Sequence, residues 1–193
     1  MINESLILTD VDGVLLNWEH AFTRWIEEHG YTLQNTSSYR LSERYGVSEE
    51  AITDLVKTFN ESAAIGFLPS LRDAIFYVKK LHELHGFVFH AITSFGTNKH
   101  AIKLRQMNLD NLFGETVFEE LICLPVNNCK RSVLESYKNT GCVWLEDKIE
   151  NAVVGQELGL RSILVAHDYN VACPGHIPRA HSWNEIYKLI TDN

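Results

Sequence analysis

Leu6-Ile7-Leu8-Thr9-Asp10-Val11-Asp12-Gly13-Val14-Leu15 decides the fold of this chain. A short apolar run, Leu6 to Leu8, stops in two acids one residue apart and a glycine. A continuous rather than alternating run suits a strand covered on both faces, as in a parallel sheet. Four runs of the same kind follow: Phe87 to Ile92, Leu121 to Leu124, Val143 to Leu145 and Ile163 to Ala166. Between them, Leu71, Ala74, Ile75, Val78 and Leu81 form one apolar stripe at helical spacing. Ser70 and Asp73 read as an acidic capping box for that helix, and Gly86 as the left-handed residue closing it. The same logic predicts helices near Thr97 to Met107, Lys130 to Tyr137, Ile149 to Leu158 and Trp183 to Ile190. Strands alternating with helices imply an α/β fold, a Rossmann-like doubly wound parallel sheet with right-handed crossovers.

One interval breaks the rhythm. About 75 residues separate the first strand from the second, where a crossover needs only about a dozen. A small helical cap inserted after the first strand accounts for the excess, giving a core of residues 1–16 and 69–193 and a cap of 17–68. Within the cap the sequence predicts a helix from Trp18 to His29, a polar stretch from Thr36 to Arg44 and a helix from Ser48 to Phe59. Gly66-Phe67-Leu68-Pro69 returns the chain to the core. Trp18, Phe22, Trp25 and Ile26 follow helical spacing and read as cap core rather than a base-stacking platform, with Arg40 and Arg44 as solvated loop charges.

Composition excludes several classes. The 193 residues are 45% hydrophobic and 22% charged, an ordinary globular balance that needs no disulfide staple. Seventeen Lys and Arg against 25 Asp and Glu give a formal charge of -8, which argues against a nucleic-acid polymer as partner. The longest apolar run, Ala74 to Val78, is far shorter than the roughly 20 residues of a membrane-spanning helix. Acidic Asp10 and Asp12 fall where a signal peptide would still be hydrophobic, so a cytoplasmic setting is expected. Cys123, Cys129, Cys142 and Cys173 form no C-x-x-C pair; His82 and His85 share helical spacing but have no third ligand nearby, and His167, Cys173, His176 and His181 lie in one long segment before the last helix, so all read as structural or surface residues.

In an open α/β sheet, ligands bind beyond the carboxyl ends of the strands. Asp10 and Asp12 follow the first strand, Thr93 and Ser94 the second, Lys130 lies beyond the third, and Glu146 and Asp147 follow the fourth. Two like charges about 4 Å apart repel by about 4 kcal/mol at an effective dielectric near 20, so four acids in one crevice call for a divalent cation. Carboxylate ligands without His or Cys favour Mg2+ over zinc. Asp10 can serve as a nucleophile toward phosphorus, and Asp12 as acid and then base. Thr93, or alternatively Ser94, can bond a phosphoryl oxygen, while Lys130 offsets the gathered charge. The plainer alternative, acids that merely cap the following helices, does not account for acids at both strand ends.

These stretches resemble the haloacid dehalogenase-like (HAD) hydrolase superfamily. The resemblance rests on Leu6 to Leu15, on Ala91-Ile92-Thr93-Ser94, on Lys130, and on Val143-Trp144-Leu145-Glu146-Asp147 followed by Asn151. It implies a Rossmann-like core, Mg2+ dependence and phosphomonoester hydrolysis through an aspartyl-phosphate. Asp10 then looks like nucleophile and metal ligand, Asp12 like the acid/base that ligates through its backbone carbonyl, and Asp147 like the third protein ligand. Glu146 stands behind these ligands; the Glu-Asp pair resembles that of β-phosphoglucomutase-like members. The cap is similar to the C1 type, and Gly66-Phe67-Leu68-Pro69 with Leu145-Glu146-Asp147-Lys148 resembles the 5'(3')-deoxyribonucleotidase branch, although Phe95 stands where that branch commonly has proline. The resemblance implies a small phosphorylated substrate, a nucleoside monophosphate first. A sugar-phosphate phosphomutase, a nucleic-acid 3'-phosphatase and a catalytically silent binding protein are the alternatives.

Overall fold

A computed structural model describes residues 5–35, 38 and 40–192. Six strands form one all-parallel sheet in the order β3-β2-β1-β4-β5-β6. They are β1 (Leu6–Thr9), β2 (Val88–Thr93), β3 (Phe118–Cys123), β4 (Val143–Glu146), β5 (Arg161–Val165) and β6 (Arg179–Ala180). All of β1 and β4 is buried, as their uninterrupted apolar runs require. Ile7, Leu8 and Thr9 pair with Phe89, His90 and Ala91 on one side and with Val143, Trp144 and Leu145 on the other. The strand order reverses at the β1–β4 boundary, so the crevice beyond these two strands is the topological switch point.

Eight α-helices complete the described chain: α1 (Trp18–Glu28), α2 (Leu41–Tyr45), α3 (Glu49–Glu61), α4 (Ala74–His85), α5 (Lys99–Phe113), α6 (Arg131–Leu134), α7 (Ile149–Glu157) and α8 (Trp183–Thr191). The first three lie between β1 and β2, where the sequence calls for an insertion. Thr36, Ser37 and Tyr39 of the expected polar stretch lie outside the described residues, and α2 occupies its end. Phe22, Ile26, Tyr45, Ile52 and Phe59 from these helices share one buried apolar cluster with Ile7 and Leu145 of the sheet and Val11 of the turn after β1. Trp18 stacks on Phe22 with ring centres 4.8 Å apart, so the aromatic stripe is packing material. The chain enters and leaves the insertion through adjacent segments: Asn17 N donates to Pro69 O (2.9 Å) and Leu71 N to Leu15 O (2.7 Å).

The expected Ser70–Asp73 capping box does not form. Asp73 sits at the start of α4 but makes no capping bond there; its carboxylate instead accepts from Trp183 N (3.0 Å) and Asn184 N (3.1 Å). Those free donors at the start of α8 are the stronger draw for an anion. Gly86 does close α4, at φ 71°. Helix α5 runs past Met107 to Phe113 because Ala101, Arg105, Leu109 and Phe113 continue one buried stripe at four-residue spacing. Strand β3 begins before its apolar run, its exposed Glu119 and Glu120 lying at the sheet edge.

Candidate active site

Asp10 follows β1 in a sharp turn. Its backbone N donates to Leu145 O (2.8 Å), tying it to β4, and Val11 O accepts from Leu15 N and Leu16 N (both 2.9 Å). Gly13 stands at φ 79°, and a Cβ there would lie 2.5 Å from Asp147 Oδ2, so both backbone conformation and space demand glycine. The two acidic strand ends are thereby brought together: carboxylate oxygens of Asp10, Glu146 and Asp147 lie within 4.8 Å of one another, and all three residues are buried.

Lys130 supplies the compensating charge. It lies at the start of α6 with 2% exposure, and its Nζ sits 2.7 Å from Asp10 Oδ2 and 2.9 Å from Glu146 Oε2. Arg131 beside it is half-exposed and pairs with Glu157, so only the first of the two adjacent cations enters the crevice. Both oxygens of Glu146 are engaged: Oε1 accepts from Asp147 N and Lys148 N (both 3.0 Å), and Oε2 from Lys130. Glu146 therefore shapes the turn and holds Lys130. Asp10 Oδ1 accepts from Val11 N at 2.7 Å.

Asp147 is gripped from the segment after β5. Tyr169 donates its phenol to Asp147 Oδ2, and Asn170 Nδ2 donates to Asp147 O (2.8 Å). His167 stacks on Tyr169 with centres 4.9 Å apart, and its Nε2 donates to Gly13 O at 2.7 Å. Asp147 Oδ1 is buried without a hydrogen-bond partner among the described residues. A buried carboxylate oxygen with no donor is costly unless a cation takes it. An all-oxygen set with such an orphan atom fits a hard divalent ion, with Asp10 and Asp147 to hold it.

Electrostatics agree with this assignment. Burial pushes the Asp10 carboxyl up to about 7 despite the nearby Lys130. Burial also raises Glu146, and it raises Asp147 with the Asp10 charge adding to the effect. For Lys130 burial alone would lower the ammonium, but Asp10 and Glu146 overcome it and the value rises. The crevice thus holds more negative charge than Lys130 alone settles, a surplus that a cation would remove.

Asp12 points elsewhere. Arg105 on α5 grips it with both arms, Nη1 to Oδ1 at 2.7 Å and Nη2 to Oδ2 at 3.0 Å. Thr93 ends β2 and is buried. The neighbouring Ser94 hydroxyl donates to Asn128 O at 3.0 Å, which commits it to loop structure. Neither Arg105 nor Tyr169 emerges from sequence reading. Arg105 had a usable signal, a lone charge on the Ala101–Leu109–Phe113 apolar stripe, whereas Tyr169 lies on a single 3-10 turn with no periodicity. His82 and His85 bond Phe87 O with Thr116, and Tyr187, respectively, far in sequence from the acidic cluster. Arg44 pairs with Glu19, and Arg40 with Glu43.

No protein-family model matches the chain. Among solved structures, a predicted phosphatase from Clostridium acetobutylicum superimposes with a TM-score of 0.68 at 15% identity, covering 98% of this chain and 99% of that one. A HAD family hydrolase from Deinococcus radiodurans, with bound phosphate and sodium, gives 0.63 at 16% identity, covering 97% and 95%. At such identities the likeness is one of fold, and the fold is the haloacid dehalogenase-like one. An uncharacterized 32.4 kDa protein from the Gp30-rIII intergenic region of Enterobacteria phage T4 is 31% identical over 191 residues, covering 93% of this chain and 67% of that protein. The chain belongs to the family of that phage protein.

Proposed function

We propose that the chain is a Mg2+-dependent phosphatase that hydrolyses a small phosphomonoester through an aspartyl-phosphate on Asp10. The observation that carries this reading is the buried Asp10–Lys130–Glu146–Asp147 cluster at the switch point, with Asp147 Oδ1 unsatisfied. Asp10, Asp147 and the backbone carbonyl of Asp12 would hold the ion. When bound, it would neutralise charge gathering on the phosphoryl oxygens.

The chain's own residues do the rest. Asp10 attacks phosphorus with one carboxylate oxygen, and the P–O bond to the leaving group breaks as Asp12 passes it a proton. Asp12, now ionised, takes a proton from the water that hydrolyses the acyl phosphate, which restores both carboxyl groups. Lys130 holds Asp10 in place and balances charge, and Thr93 bonds a phosphoryl oxygen, Ser94 being occupied by Asn128. Residues 17–68 act as a C1-type cap over the crevice, excluding water and selecting the leaving group. Its adjacent entry and exit segments, joined by the Asn17–Pro69 and Leu71–Leu15 bonds, support a hinge there.

A nucleoside monophosphate is the first substrate class to test, in keeping with the nucleotidase-like Gly66–Pro69 and Leu145–Lys148 stretches. No described helix is long and apolar enough to cross a membrane, and the four cysteines are free thiols, which suits a reducing, cytoplasmic setting. The test is phosphate release from a panel of nucleotides, sugar phosphates and 3'-phosphorylated oligonucleotides, with and without Mg2+. Mg2+-dependent release from a small ester supports the reading. Isomerisation without release points to a mutase, and inertness throughout to a binding protein.

A further inference from the structure

Arg105 is fully buried, yet its charge serves no surface and no helix end. Taking a guanidinium out of water is costly unless a partner offsets it, so a buried arginine fork needs a reason. Its two arms fix both oxygens of Asp12, and its flat face lies 4.7 Å from the centre of the Phe95 ring. Phe95 is held in turn from the inserted helices: Asn60 of α3 donates Nδ2 to Phe95 O (2.9 Å) and accepts from Trp18 Nε1 of α1 (2.9 Å) at Oδ1. Helix α5 also packs on the 3-10 turn at Ala63–Phe67 and donates Asn108 Nδ2 to Leu68 O (3.1 Å), where the insertion rejoins the core. A continuous path of contacts therefore runs from the insertion, through Asn60, Phe95 and Arg105, to the Asp12 carboxylate.

We propose that Arg105 is a positioning residue: it fixes the station from which Asp12 serves the leaving oxygen, and the inserted helices set that station through Asn60 and Phe95. This inference rests on the phosphatase reading and adds a leaving-group dependence to it. In the step concerned, Arg105 keeps one Asp12 oxygen and yields the other, which carries the proton; an Asp10 oxygen bonds to phosphorus, the phosphorus–leaving-oxygen bond breaks with its electron pair, and the Asp12 proton passes to the leaving oxygen. An alkoxide leaving group needs that proton, whereas p-nitrophenolate leaves readily without it. A purely structural Arg105 would affect both alike.

The experiment compares kcat/KM of the wild type, Arg105→Met, Arg105→Lys and Phe95→Leu on glycerol 2-phosphate and on p-nitrophenyl phosphate, with Mg2+ saturating and folding checked by thermal melting. General acid catalysis typically contributes about 100-fold or more, so Arg105→Met is expected to lose about 30-fold or more on the alkyl ester but no more than about 3-fold on the nitrophenyl ester. Arg105→Lys recovers part of the alkyl activity, and Phe95→Leu falls between. Should Arg105→Met not fold, Phe95→Leu and Asn60→Leu carry the same comparison. Equal losses on both esters, or a gain on the alkyl ester, overturn the inference while leaving the phosphatase reading standing. A wild-type chain inert toward both esters and the wider panel removes that reading and this inference with it.

Discussion

The ammonium of Lys130 lies 2.7 Å from Asp10 Oδ2, with both side chains closed to solvent. This contact joins the start of α6 to the end of β1 and places a cation where three acids would otherwise face one another. Breaking a buried pair by removing one partner usually costs more than the pair itself contributes, because the survivor keeps its desolvation penalty.

Lys130→Met should therefore destabilise the metal-free protein by about 3 kcal/mol or more. Urea unfolding measures it directly. A loss below about 1 kcal/mol, the range of exposed pairs, would show that Lys130 is a solvated cation in solution.

The pH dependence follows from Asp10. Its carboxyl, ordinarily near 3.8, is raised by burial to about 7, so the folded chain keeps a proton that the unfolded chain has released. That stabilising contribution is complete below the unfolded value and disappears as pH climbs through about 7. The thermal midpoint of metal-free protein should fall between about pH 4 and pH 7.5, and millimolar Mg2+ should narrow the gap at the upper end by replacing the proton. A midpoint that rises over this interval would be incompatible with a strained Asp10 carboxylate.

Tyr169 holds one oxygen of Asp147 and leaves Oδ1 for a cation. Partners that orient a metal-binding carboxylate commonly account for 10- to 100-fold in affinity, so Tyr169→Phe should weaken Mn2+ or Mg2+ binding by about 10-fold. Calorimetric titration reads this without reference to turnover, and an unchanged isotherm would remove Tyr169 from the site.

Much of this was legible in the residues because the catalytic candidates sit where buried strands end, and an apolar run followed by acid is a loud signal. Asp10, Glu146 and Asp147 emerge that way, and Lys130 through its place beyond the third run. Arg105 and Tyr169 reach the acids from α5 and from a turn after β5, across 93 and 22 residues of chain; helical periodicity marks Arg105 as a buried charge but does not name its partner, and it marks Tyr169 not at all. Asp73 shows the same limit: its spacing from Ser70 suggests a local cap, but its carboxylate serves a helix 110 residues away. The two-residue β6 is too short to leave any pattern.

Asp73 yields a stability prediction of its own. Asp73→Ala removes the acceptor for Trp183 N and Asn184 N and should cost about 1 to 2 kcal/mol, the usual value of a lost helix cap. Thermal or urea melting reports it, and a neutral substitution would mean that Ser182 alone caps α8.

The central claim is covalent: Asp10 carries the phosphoryl group during turnover. Rapid acid quenching of the wild-type chain with its best substrate and Mg2+, followed by peptide mass spectrometry, tests it most directly. One phosphoryl group on the peptide containing Asp10, absent in Asp10→Asn together with turnover, is the predicted result. Phosphate release that continues undiminished in Asp10→Asn, with no phosphorylated peptide in the wild type, would contradict it.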